Sequence, residues 1–326
     1  MNLHENEQLF EDAVIATAQK LKIPEIYIEK DYWITVALYA IFHSPKETDA
    51  VFKGGTALAK CHKLISRFSE DIDIVVLKRQ DDSPNKLKGK LKAVTQAVNN
   101  VMPEIDSPGV TNKFGMIRKT AHRYVKKNFK GLFGEIREDI IIEASWLGSS
   151  EPYIQAEVSC FIYEMMVDLG QNDLIKTYNM QPFTVKVLSK ERTFCEKIMS
   201  LVRFSHTENP YQDLSKKMRH IFDLNQMLKN DEVNSFLNSQ EFEKMLLLVG
   251  NDDLQSFKNN NQWLNIHPKE AIIFKNTEET WGQINKTYKN IFSKLVIGEL
   301  PEESDLIETL KMVNEKLIPI NWTIKI

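Results

Sequence analysis

From residue 5 to 21 the apolar positions fall three or four apart, with Leu9, Phe10, Ala13, Val14 and Leu21 among them, and the stripe stops before Pro24. That spacing lays one face of a helix against a core. A second helix is expected from about Glu25 to Phe42, where Glu29-Lys30-Asp31-Tyr32-Trp33 reads as a solvated charged face beside an aromatic anchor. The pattern then shortens. An apolar strand start at Val51-Phe52 breaks at Gly54-Gly55, a helical segment follows, and a strand runs on to Leu77. A helix from about Asn85 to Met102 closes at Pro103 and Pro108. Asp139 to Trp146 alternates like a strand, with Asp139, Ile141, Glu143 and Ser145 on one face, and 183–188 looks like a further short strand. From Ser189 onward the periodicity is helical almost to the end, with a short terminal strand expected at Ile318 to Ile326. The pattern predicts an α/β (α+β) chain, with a sheet-bearing domain and its N-terminal helices over 1–188 and a helical domain over 189–326.

Composition narrows this only a little. With 326 residues, 42% hydrophobic and 27% charged, the chain is long enough for one large or two moderate domains. A net charge of −3 does not mark a nucleic-acid binder, so a local patch must carry any such role. One does stand out. Residues 113–134 contain no acid but carry Lys113, Arg118, Lys119, Arg123, Lys126, Lys127 and Lys130. Arg118, His122, Lys126 and Lys130 repeat every four and would share a helix face, with Phe114, Tyr124 and Phe129 interleaved. A solvated face and a contact to RNA or triphosphate, through Arg118, Arg123, Lys126 and Lys127, are both open readings. Cys61, Cys160 and Cys195 are too scattered for a disulfide framework or a metal knuckle. The chain shows neither a leader pattern nor an apolar run near the roughly 20 residues of a membrane helix, so a cytoplasmic protein is expected.

The chemistry concentrates in VFKGGTALAKCHKLISRFSEDIDIVVL, residues 51–77. Asp71 and Asp73 are two apart on a strand, so they point the same way with backbones roughly 6 to 7 Å apart. Two carboxylates on an apolar strand repel and desolvate each other unless a cation neutralises them, and a divalent metal is the simplest partner. Gly54 and Gly55 supply backbone free of Cβ at a helix start, which attracts phosphate, and Thr56 adds a hydroxyl or a cap. Either motif alone reads as an ordinary turn or strand end. Together they point to nucleotide chemistry.

The Gly-Gly turn, short helix and Asp-x-Asp strand resemble the nucleotidyltransferase superfamily signature. More narrowly, GGTALAK followed by RFSEDIDI resembles the AbiEii/AbiGii toxin family of bacterial abortive-infection and toxin-antitoxin systems. EKDYW, ERTFCEK and RHIFDL are similar to three further stretches of that family, so the likeness spans about 27–228. It implies a minimal nucleotidyltransferase fold with a mixed sheet, and a helical C-terminal domain that completes the active site. It also implies Mg²⁺ at Asp71 and Asp73, and a nucleoside triphosphate held by Gly54, Gly55, Thr56, Arg67, Ser69 and Lys197. Asp223 would position Lys197 or assist the acceptor. Such chemistry calls for a third carboxylate on a neighbouring strand, for which Glu143 is the choice and Asp139 and Glu157 are substitutes. The implied acceptor is RNA, with the tRNA 3′ end the best single choice, and a cognate antitoxin is an implied partner. EKDYW gains no chemical role for Lys30 or Asp31. A nucleotide sensor, or an RNA- or antitoxin-binding module without transfer activity, is the alternative.

Overall fold

The computed structural model describes residues 1–45, 48–129, 137–148, 151–256 and 260–326. The chain divides into two compact units, one of residues 1–62, 68–146 and 153–187, the other of 63–67, 147–152 and 188–326.

In the first unit, helices α1 (Glu7–Leu21) and α2 (Glu25–Phe42) precede β1 (Ala50–Lys53), the short α3 (Gly54–Lys60) and β2 (Ile72–Val76). There follow α4 (Pro84–Asn99), β3 (Glu104–Ile105), β4 (Ile117–His122), β5 (Ile140–Ser145), β6 (Tyr153–Val158), α5 (Phe161–Asp168), α6 (Asn172–Thr177) and β7 (Phe183–Leu188). The seven strands form one mixed sheet in the order β3-β4-β5-β2-β1-β7-β6. β2 runs antiparallel to β1 and parallel to β5, while β4 is antiparallel to β5. Strands buried on both faces read as continuous apolar runs, and Ile140-Ile141-Ile142 and Ile74-Val75-Val76 are of that kind. Local caps set the helix limits. Asn6 accepts from the Leu9 N–H at 3.2 Å to start α1, and Ser83 with Pro84 starts α4.

α2 departs from the expected solvated face. Glu29, Lys30 and Asp31 are all buried, because α2 lies within the core and each charge finds a partner distant in sequence. Glu29 accepts from the Lys127 N–H at 2.8 Å, and Asp31 meets Lys60 at 2.5 Å and the Phe161 N–H at 2.8 Å. Burial raises the Glu29 carboxyl to about 7 against the pull of the Lys127 N–H and the nearby lysine charges.

The basic stripe is not a helix either. Residues 117–122 are β4, and 123–129 have no regular structure. The four-residue spacing coincided with helix period, but the pairing of β4 along β5 won, and Lys130 lies outside the described residues.

The second unit is helical: α7 (Lys190–Ser205), α8 (Pro210–Ser215), α9 (Met218–Leu228), α10 (Asp231–Leu237), α11 (Gln240–Ser256), α12 (Ile272–Lys275), α13 (Thr277–Asn290) and α14 (Glu303–Leu317), with short 3-10 turns between. Ser189 caps α7, its hydroxyl accepting from the Arg192 N–H at 3.2 Å. Pro210 begins α8, and α9 starts separately after Lys217. Beyond α14 the expected terminal strand is absent, since residues 318–326 pair with no strand and are pinned by side chains instead. Ile320 and Ile324 are buried, and the Trp322 indole donates to the Leu264 carbonyl at 2.8 Å. Gly250 of α11 leaves room for this tail, because a Cβ there would stand 2.4 Å from Ile324 Cδ1. No helix among the described residues is long and apolar enough to cross a membrane.

Candidate active site

Asp73 sits in the centre of the sheet. Across β2 and β5 it pairs in register with Glu143, and across β2 and β1 with Lys53. Facing residues of neighbouring strands share a face, so Asp73 and Glu143 stand side by side. Asp71 comes just before β2 rather than within it. Burial, with help from the Asp71 and Glu143 charges, pushes the Asp73 carboxyl up to about 7, against the pull of Lys53 and Lys119. β5 is interior to the sheet, so Glu143 is not on an edge strand, although its side chain is 38% exposed. Of the two substitutes, Asp139 precedes β5 and binds Arg123 through a two-pronged pair at 2.9 and 3.1 Å, and Glu157 lies exposed on the far edge strand β6.

Gly54 opens α3 at φ +79, a conformation that suits glycine, and a Cβ there would lie 2.2 Å from Asp73 Oδ2. The glycine turn therefore presses its backbone directly on the second carboxylate. Thr56 does not cap the helix. Its buried hydroxyl donates to the Asp71 carbonyl at 2.6 Å and lies 3.0 Å from Ser69 Oγ, tying α3 to the segment that presents the acids. Gly55 continues this first turn of α3.

No group of three or more His, Cys, Asp or Glu side chains disposed to hold a metal ion occurs among the described residues. Two of the acids are ion-paired instead, Asp71 with Arg137 at 2.8 Å and Glu143 with Lys119 at 2.9 Å. Two carboxylates with a third beside them are still the donor set of a hard divalent ion whose shell is completed by substrate oxygens and water.

A second cluster lies within the helical unit. Asp223 on α9 accepts two hydrogen bonds from Arg67, both at 2.7 Å, and a third from Lys197 of α7 at 2.7 Å. All three residues are buried. Burial alone would raise the Asp223 carboxyl, but Arg67 and Lys197 outweigh it and hold the group below the usual carboxylate range. His220, one turn earlier on α9, is kept neutral chiefly by burial, its ring depressed well below the ordinary histidine value. No local pattern signals that Arg67 joins Asp223, 156 positions away.

The four basic-run residues named above are all ion-paired. Arg118 reaches Thr95 at 2.7 Å and Glu104 at 3.9 Å, Arg123 binds Asp139, Lys126 binds Glu138 at 2.7 Å and Lys127 binds Glu7 at 2.9 Å. The acids absent from the run are supplied by the fold.

The site thus joins a glycine turn pressed on Asp73, Asp71 just before the same strand, and Glu143 in register beside it. The family model for the nucleotidyl transferase AbiEii toxin of type IV toxin-antitoxin systems matches residues 36–308, and the chain belongs to that family. It is thus a nucleotidyltransferase of the toxin-antitoxin class, a kind of enzyme that uses nucleoside triphosphates and generally divalent metals. Among solved structures it is similar to MenT4, a nucleotidyltransferase toxin from Mycobacterium tuberculosis H37Rv, at 16% identity and a TM-score of 0.45, covering 90% of this chain and 94% of that one. Comparison with curated protein sequences gives no match.

Proposed function

We propose that this toxin transfers a nucleotide from a nucleoside triphosphate to an RNA acceptor, with the tRNA 3′ end the acceptor of choice and Mg²⁺ as the metal. The observation that carries the reading is the register of Asp73 with Glu143, beside Asp71 and under Gly54. Asp71 and Asp73 would hold Mg²⁺, which when bound neutralises phosphate oxygens and favours in-line displacement. Glu143 takes the proton of the acceptor hydroxyl as that oxygen forms its bond to the α-phosphorus. The bond from the α-phosphorus to its bridging oxygen breaks, and pyrophosphate leaves. The Gly54-Gly55-Thr56 turn offers backbone N–H groups to phosphate, and Ser69, partly buried beside Thr56, orients that turn. Lys197 is the proposed triphosphate ligand, aimed by Asp223, with Arg67 securing Asp223 from its other side.

The test is to incubate the protein with each labelled triphosphate, Mg²⁺ and total cellular RNA. Label in an RNA band with stoichiometric pyrophosphate is expected, and the labelled band identifies the acceptor. Triphosphate binding without pyrophosphate release would instead make the protein a sensor. Pyrophosphate release with label on protein alone would remove the RNA acceptor.

A further inference from the structure

Arg137, just before the strand that carries Glu143, reaches the Asp-x-Asp motif. Its Nη1 donates to Asp71 Oδ1 at 2.8 Å, the two side chains being 47% and 34% exposed. An ion pair this open to water ordinarily wanders and contributes little. The backbone of Arg137, however, is held on both sides. Its N–H donates to Glu70 Oε2 at 3.0 Å, and its carbonyl accepts from Lys30 Nζ. Lys30 and Glu70 are themselves paired at 2.5 Å and almost wholly buried. Placing two charges in a core carries a heavy desolvation cost, and a hydrophobic pair of similar volume would avoid it. What this pair does is grip both polar groups of one residue whose guanidinium points at a carboxylate of the motif. It also gives the buried lysine of EKDYW a job.

We infer that Arg137 is the resident counter-cation of the Asp-x-Asp pair, positioned by Lys30 and Glu70, and that a divalent ion must displace its guanidinium from Asp71 in order to bind. The inference rests on the reading of Asp71 and Asp73 as metal ligands. Guanidinium and metal compete for the same carboxylate oxygen, so the free protein holds the ion loosely. Firm loading then requires the extra oxygens of a triphosphate, and metal occupancy follows nucleotide occupancy. Arg137 is a positioning residue here: it acts on Asp71, and its removal improves metal binding, an effect that loss of a merely structural contact does not produce.

The test titrates the full chain with Mn²⁺, a carboxylate-binding stand-in for Mg²⁺, following the spectroscopic signal of the free ion. Arg137→Gln is expected to bind Mn²⁺ about tenfold more tightly than the wild type at low ionic strength, a shift of about 1.4 kcal/mol. Arg137→Lys, a point charge without the fork, should give a smaller gain in the same direction. Lys20→Gln removes the same charge from a surface pair with Asp168 and should leave affinity unchanged. Adding Asp71→Asn to Arg137→Gln should cancel the gain. Unchanged or weaker binding in Arg137→Gln, or an equal gain in Lys20→Gln, overturns the inference. If neither the wild type nor Arg137→Gln binds Mn²⁺, even with a non-hydrolysable triphosphate present, the metal reading of the motif itself is wrong.

Discussion

The helical unit buries a charged cluster, the sheet unit holds a partly exposed one, and they are built on opposite principles. In the helical unit one carboxylate, Asp223, lies between two cations and is stabilised in its charged form. In the sheet unit Asp73 stands beside Asp71 and Glu143 and is pushed toward neutrality. The first cluster is satisfied as it stands. The second keeps three acids together although Arg137 and Lys119 already pair with two of them, an arrangement that fits the proposed metal and triphosphate site. Ion pairing by itself is thus a poor marker of function, whereas a carboxyl pushed up by burial and neighbouring acids is a better one.

The contrast can be broken most severely at Asp223. Asp223→Ala leaves Arg67 and Lys197 buried without their counter-charge, and should cost about 3–5 kcal/mol of stability, read by urea unfolding. Stability within about 1 kcal/mol of wild type would mean that the helical cluster does not depend on its central carboxylate. Asp71→Asn and Asp73→Asn should do the reverse, reducing nucleotide transfer by roughly a hundred- to a thousandfold while the fold keeps or gains stability. Variants that unfold yet retain activity per folded molecule would remove the two acids from the metal site. Lys197→Ala should weaken triphosphate binding by roughly tenfold, about 1.4 kcal/mol, with RNA affinity unchanged. Equal triphosphate affinity would confine Lys197 to a structural role.

The last effect is the most diagnostic of strain. Asp73 titrates near 7 in the folded chain against an ordinary 3.8, so between those values the native state keeps a proton that the unfolded chain has lost. Stability therefore falls as pH rises through that window. Asp73→Asn escapes the loss, and its advantage over the wild type should be near zero at pH 4 and reach roughly 1–3 kcal/mol by pH 8. A pH-independent difference would show that Asp73 is not strained.

Much of this was legible in the sequence because it is local. The helix over 25–42 lies where its start after Pro24 and its apolar density placed it, and the Gly-Gly turn and Asp-x-Asp strand are consecutive along the chain. What the sequence hid is long-range pairing. Lys30 finds Glu70 40 positions away and the Arg137 carbonyl 107 away, so charges that look solvated on a helical wheel are buried. Arg118 and His122 carry a helical spacing yet lie on a strand, because β5 offers a partner edge that no local pattern reveals. The tail at 318–326 is rich in isoleucine, but its apolar groups pack singly and need no ladder.

The fit of Gly54 against Asp73 has a genetic consequence. Every single-base missense change of a glycine codon installs a side chain, and at position 54 each one collides with the carboxylate oxygen 2.2 Å from the new carbon. When cells survive forced expression of this toxin by losing its activity, codon 54 should recur among the escape alleles with several different replacements, all of them recessive to a working copy.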